Sequence, residues 1–129
     1  MAEGFPATTG DIFTAADYNG LVAFTIGAAQ TNDYTAVIAD TYQVLELMNK
    51  STAIAYNIPT NASVAFPIGT VLTVLNIGTG VCTIKAVTPG TTTVLSAGAV
   101  AAQPTLAQYR SAACIKTGTD TWYVVGAVA

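Results

Sequence analysis

SVAFPIGTVLTVLNIGTGVCTIKAV, residues 63–87, carries no charged side chain before Lys85. A stretch this long without charge is either packed inside a protein body or set in a membrane. Pro67, Gly69, Asn76, Gly78 and Gly80 decide between them, because a helix crossing lipid does not tolerate such residues so densely. Read with a period of two, the stretch holds two strands, GTVLTVLNIG and VCTIKAV, on either side of GTG at 78–80. The glycines read as a tight hairpin turn between them. The first strand is apolar on both faces, as a central strand covered on both sides would be. The stretch is therefore read as paired core strands.

Working outward, the same period governs most of the chain from residue 34. YTAVIA (34–39) reads as a strand and Asp40-Thr41 as a turn. In YQVLELMN (42–49), Val44, Glu46 and Met48 share one side and Leu45 and Leu47 the other. STAIAYNIP (51–59) aligns Ile54, Tyr56 and Ile58 on one face and stops at Pro59. TTTVLS (91–96) is a further short strand. YRSAACIKTG (109–118) and TWYVVGAV (121–128) form a closing pair joined around TGTD (117–120), with Arg110, Ala112, Cys114 and Lys116 on one face of the first. About eight strands separated by turn signals predict an all-β fold, an antiparallel β-sandwich or jelly-roll-like domain over 34–129.

Residues 1–33 have a different character. EGFPATTGDIF (3–13) reads as an extended arm. In FTAADYNGLVAFTIGAA (13–29), the Thr14 hydroxyl can cap a helix, with Asp17 three residues on completing a capping box. Tyr18, Leu21, Val22 and Phe24 to Ile26 then supply an apolar stripe that ends near Gly27. One short helix lying over another element is predicted, with the division from the β domain near Gln30 to Asp33.

Composition narrows the function. The 129 residues are 52% hydrophobic and only 9% charged, against roughly 25% charged in an average soluble domain. Mean hydropathy is +0.53. So few charges predict that part of the apolar surface is hidden by other subunits. Much of the remaining polarity is Thr, which suits strands. A net charge of -3 and scattered Lys50, Lys85, Arg110 and Lys116 argue against nucleic acid as a partner. No membrane segment is read, and MAEGFPATTG at the start has neither the basic nor the apolar part of a secretory signal.

Chemistry is sparse. With no histidine, neither a Ser/His/Asp nor a Cys/His nucleophile system can be built. Two cysteines without imidazole do not hold zinc. Cys82 and Cys114 read as two small buried thiols in facing strands, with a bridge geometrically open if those strands are neighbours. The seven acids, Glu3, Asp11, Asp17, Asp33, Asp40, Glu46 and Asp120, mostly fall at caps, turns or in the arm, where a carboxylate bonds nearby backbone. No catalytic residue, metal ligand or cofactor is expected. Tyr109, Trp122 and Tyr123 could stack on sugar rings, while the competing reading puts Trp122 and Phe66 in the core.

Two segments carry a family resemblance. Asn61, Ser63, Ala65, Phe66, Pro67, Gly69 and Thr70, then Gly78 and Gly80, match an N-S-x-A-F-P-x-G-T strand opening followed by G-x-G. Tyr109, Ala112, Ile115, Lys116, Gly118, Asp120 and Trp122 match a closing Y-x-x-A-x-x-I-K-x-G-x-D-x-W. Together they resemble a C-terminal β module of tailed-bacteriophage virion proteins, shared by tail-fibre and head-surface proteins. TAADYNGL (14–21) is similar to a helical element such proteins carry near the N-terminus. The resemblance implies a non-enzymatic virion structural protein. The short region before the module points to a capsid decoration protein or head-surface knob docked on a major capsid protein or another virion protein. A homotrimer at the virion surface, assembled in the host cytoplasm, is the expected state. Phe5, Ile12, Phe13 and Leu21 are then the expected attachment anchors, since each would otherwise expose an apolar side chain. The alternative is a tail-fibre or receptor-binding module recognising host-surface glycan through Tyr109, Trp122 and Tyr123.

Overall fold

A computed structural model describes Ala15 and residues 23–129. Ala15 is helical and exposed; residues 1–14 and 16–22 of the expected arm and helix lie outside the described residues. The described chain is mostly strand, in two mixed sheets. The elements are β1 (Thr25–Ile26), β2 (Tyr34–Thr35), a 3-10 turn η1 (Ile38–Thr41), β3 (Val44–Met48), β4 (Ile54–Ile58), β5 (Val71–Asn76), β6 (Cys82–Ala86), β7 (Thr93–Ser96), β8 (Thr105–Leu106), β9 (Arg110–Gly118) and β10 (Thr121–Gly126). The larger sheet runs β1-β3-β5-β9-β10-β7 and the smaller β2-β4-β6-β8.

The all-β expectation holds, but the antiparallel arrangement does not. Five of the eight strand pairings are parallel: β1·β3, β3·β5, β2·β4, β4·β6 and β7·β10. The reason lies in residues 63–87. β5 and β6 do not form a hairpin; they belong to different sheets. Chain that leaves the larger sheet at β3 enters the smaller at β4, and the next pass does the same from β5 to β6. The two passes stack in parallel at a constant offset, Leu45 against Thr73 and Ile54 against Cys82. Their connecting arches stack as well: Ile77 N–H donates to the Met48 carbonyl at 2.9 Å and Gly80 N–H to the Lys50 carbonyl at 2.9 Å.

This stacking explains the glycines better than a turn does. A Cβ at Gly78 would run into the Lys50 backbone, and one at Gly80 would overlap the Thr52 carbonyl. Asn76, 0% exposed, ties the upper arch together. Its Nδ2 donates to the Gly80 carbonyl at 2.9 Å and the Leu106 carbonyl at 2.8 Å, and its Oδ1 accepts the Gly78 N–H at 3.1 Å. A buried amide with three such bonds satisfies its neighbours' backbone as well as itself.

Two other local expectations give way. Thr25 and Ile26, placed in the apolar stripe of a helix, instead extend beside Val44 and Leu45 as β1. Both are β-branched, and pairing overrides the helical periodicity. Gln30 also bridges to Met48, so the larger sheet takes in residues ahead of the division expected at 30–33. Ile38 to Thr41 form η1 rather than the end of a strand, because Asp40 accepts the Val37 N–H at 3.0 Å and folds the chain back.

One core lies between the sheets. Ile54, Tyr56, Ile58 and Ile84 enter it from the smaller sheet and Met48, Leu72, Val74 and Val124 from the larger, each at most 2% exposed. Trp122, 1% exposed, meets Phe66 edge-on with ring centroids 5.5 Å apart. Cys82 and Cys114 are free and buried, one from each sheet. Burial pushes both thiols up to about 12. A thiol raised in the folded state contributes stability that is lost as pH climbs from its ordinary value near 9 through 12. Two results are expected: a thiol reagent at pH 8 labels neither cysteine in the native chain and both in urea, and stability falls above about pH 9. Native labelling at the rate of a free thiol would contradict the packing.

Candidate functional site

The two sheets present different outer faces. On the smaller sheet the outward positions include Asn57, Thr83, Lys85 and Thr105, which pair across neighbouring strands and are polar. On the larger sheet the outward rows are apolar. One row runs Ile26, Leu45, Thr73, Ala113 and Val125, in register across five strands. A second runs Leu47, Leu75 and Ser111; a third runs Val71, Ile115, Tyr123 and Leu95. None of these positions carries a charge. Phe24 leans over the first row, and with Leu45, Thr73, Ala113 and Val125 it lines a shallow groove of about 510 Å³.

Exposure shows that the described residues leave this face uncovered. Val71 is 45% exposed, Tyr123 44% and Val125 49%. The sequence pattern marked β5 as apolar on both faces, and only its inner face, Leu72, Val74 and Asn76, is covered. The hydroxyl of Thr73 donates to the Val44 carbonyl at 3.0 Å, so this polar atom is satisfied within the sheet. The face can be dried without stranding that group.

Some of the residues that carry the family resemblance, Asn61, Phe66, Gly69, Thr70, Asp120 and Trp122, converge elsewhere, around Lys116. Its Nζ, on a side chain 2% exposed, donates to Asn61 Oδ1 at 2.6 Å and to the Phe66 carbonyl at 2.7 Å. It also lies 5.9 Å from the centroid of Trp122. Asp120 accepts the Asn61 N–H at 2.8 Å and the Thr92 hydroxyl at 3.2 Å. Gly69 N–H donates to the Lys116 carbonyl, and Lys116 N–H to that of Thr70. Burial lowers the Lys116 ammonium's pKa, and Asp120 acts in the opposite direction. The opening and closing motifs are thus two halves of one clasp, holding the 61–70 loop against β9 and β10. Its bonds run within the chain and hold that loop in place.

A second polar cluster closes the core beside β1 and β2. Glu46, 4% exposed, points inward and accepts Gln30 Nε2–H at 3.0 Å. Asp40, 6% exposed, accepts the Tyr34 hydroxyl at 2.7 Å. Burial raises the Glu46 pKa; the Gln30 hydrogen bond lowers it, and the nearby Asp40 charge raises it again. A raised carboxyl contributes stability that is present below its unfolded value and lost as pH rises through the folded one. Glu46→Gln keeps an acceptor for Gln30 and removes the charge. It is expected to raise Tm at pH 7 and to change it less as pH falls toward 4, where the Glu46 carboxyl is increasingly protonated in the unfolded chain as well. Thermal melts of both proteins from pH 4 to 8 check this; parallel curves would remove Glu46 as the source of the slope.

The other expected site residues fall apart. Phe5, Ile12, Phe13 and Leu21 lie outside the described residues. Trp122 is core, which withdraws it from any sugar platform. Tyr109 is 74% exposed with a φ of 65°, and Tyr123 sits on the larger sheet's outer face opposite Ile115. Six residues of β9 at ~3.3 Å each put the two tyrosines about 20 Å apart, too far to hold one sugar ring. Asp40 accepts the N–H of Val37 nearby, as a turn acid does, whereas Asp33 and Asp120 accept backbone N–H groups remote in sequence, those of Ala55 and Asn61, and so tie separate segments together. Inward Lys116 and Glu46 were not singled out by charge, yet parity held the signal: each alternates in step with buried neighbours, Cys114 and Met48.

Comparison with family models, curated proteins and solved structures finds no match for this chain. Among the described residues no helix is long and apolar enough to cross a membrane, and no three potential metal ligands cluster.

Proposed function

We propose that this chain is a non-enzymatic structural protein of a tailed-phage virion, a capsid decoration protein or head-surface knob, that works as a homotrimer on the particle surface. The single observation that carries the reading is the uncharged outer face of the six-stranded sheet. The face is at the upper end of the largest apolar patch that a free domain carries, roughly 300–600 Å², and a patch of that size is often a contact surface. Assembly against copies of itself and a larger shell takes that patch out of water, and the low charge content of the whole chain agrees with it. The two sheets with one core between them are read as a β-sandwich of mixed strands. The clasp around Lys116 supports the phage-module resemblance, because the matched residues Asn61, Phe66, Lys116, Asp120 and Trp122 bind or pack on one another. The N-terminal segment fixes the body to a major capsid protein or another virion protein.

Light scattering on the purified full chain at micromolar concentration is expected to give the trimer mass, and the protein is expected to co-sediment with phage particles. A monomer that leaves particles unlabelled overturns the proposal. Binding of a host glycan by the oligomer, read on an array, replaces it with the tail-fibre alternative.

A further inference from the structure

We infer that the outward face of the six-stranded sheet is the surface through which copies of this chain bind one another, each face against the same face of its neighbours. The inference rests on the oligomeric reading above and names its contact.

Size is the first argument. The strands of this sheet, at about 3.3 Å per residue and about 4.8 Å between neighbours, present roughly 500 Å² per copy, so three faces closing on a threefold axis remove on the order of 1,500 Å² in the trimer, an area of the order that holds specific assemblies together. Smaller contacts would leave apolar rows wet, and the groove beside Phe24 gives the surface relief for interdigitation. Charge is the second. No outward position on this sheet bears a charge that could pair with one brought by a partner, so a charged partner would bury its ions unpaired. The surface it fits is equally uncharged, and every copy of the chain offers one. Polar satisfaction is the third: the Thr73 hydroxyl is spent within the sheet, so this position needs nothing from across the interface. The smaller sheet is a poorer fit, since Asn57 and Lys85 pair on its outward face and Thr83 pairs there with Thr105.

Two kinds of variant of the full chain test the assignment. Val125→Lys and Val71→Lys each place an ammonium on the face at a half-exposed position where the isolated fold has room for it. Each is expected to raise the dissociation constant at least about 100-fold in sedimentation equilibrium, with an unchanged circular dichroism spectrum. Val87→Lys, as exposed but beyond β6 of the smaller sheet, is expected to change nothing. Ser111→Cys puts one accessible thiol on the face of a chain whose own two are buried. Diamide, which takes up the two electrons and two protons released, is expected to cross-link it between copies. An oligomer that survives both lysines and leaves Ser111→Cys uncrosslinked places the contact elsewhere and overturns the assignment while keeping the oligomer. A wild-type monomer overturns both. A monomer whose Ser111→Cys thiol resists alkylation shows that residues 1–22 cover the face instead, and overturns it too.

Discussion

Gly80→Ala is expected to cost at least about 4 kcal/mol, enough to leave little or no folded protein at 37 °C. The added methyl has nowhere to go. It would overlap the carbonyl of Thr52 in the arch below, and its nearest neighbours are all Thr52 backbone atoms, which no rotamer change can move. Relief requires the two arches to separate. That breaks the Gly80 N–H bond to Lys50 and the Ile54 N–H bond to Val81, and pulls the Gly80 carbonyl from Asn76. Each buried group left without a partner costs about 1–3 kcal/mol. Gly90→Ala is the control, since nothing lies within 4 Å of a Cβ there. It should be neutral or stabilise by up to about 1 kcal/mol through the unfolded chain. Urea titration of both proteins decides the matter. A Gly80→Ala protein with a wild-type midpoint would mean that residues 78–80 form the free hairpin turn after all.

Lys116→Ala is expected to destabilise by about 3–5 kcal/mol. The loss has two parts. Truncation empties the space of a fully buried aliphatic stem. It also strands Asn61 Oδ1 and the Phe66 carbonyl, which the ammonium now satisfies at 2.6 and 2.7 Å. Lys116→Met separates the parts, because it refills the stem and leaves only the acceptors unpaired; about 1–3 kcal/mol is expected. Its measured urea slope should match wild type, since the exposed area on unfolding barely changes. Were both variants as stable as wild type, the clasp would contribute nothing and Lys116 would be better regarded as a solvated surface lysine.

Much of this fold was readable as strands before it was readable as a topology. Parity correctly put Ile54, Tyr56 and Ile58 on one face and Leu45 and Leu47 opposite Glu46 and Met48. The β9–β10 hairpin also followed from alternation around TGTD. Partner choice was the part that periodicity does not encode. An apolar strand, a glycine pair and a second apolar strand look the same whether the chain turns back in one sheet or arches into another. The difference lies in the Thr52 backbone beneath Gly80, remote in sequence from the glycine it constrains. Helical spacing at Phe24 to Ile26 failed for a similar reason, because the nearby edge of β3 offers backbone partners that local propensity does not weigh. The uncharged face was foreshadowed by the two-sided apolar pattern of β5. Its polar counterpart on the smaller sheet was visible in Asn57, Thr83 and Lys85 only once their strands were aligned.

Stacked arches also constrain how such a chain can drift. Because position 80 rests on the main chain at 52 and position 78 on that at 50, a residue gained or lost in the lower bend displaces the upper one by the same step. Changes there are tolerated in matched pairs or not at all. Two bends far apart along the polypeptide therefore answer to mutation as a single inherited unit.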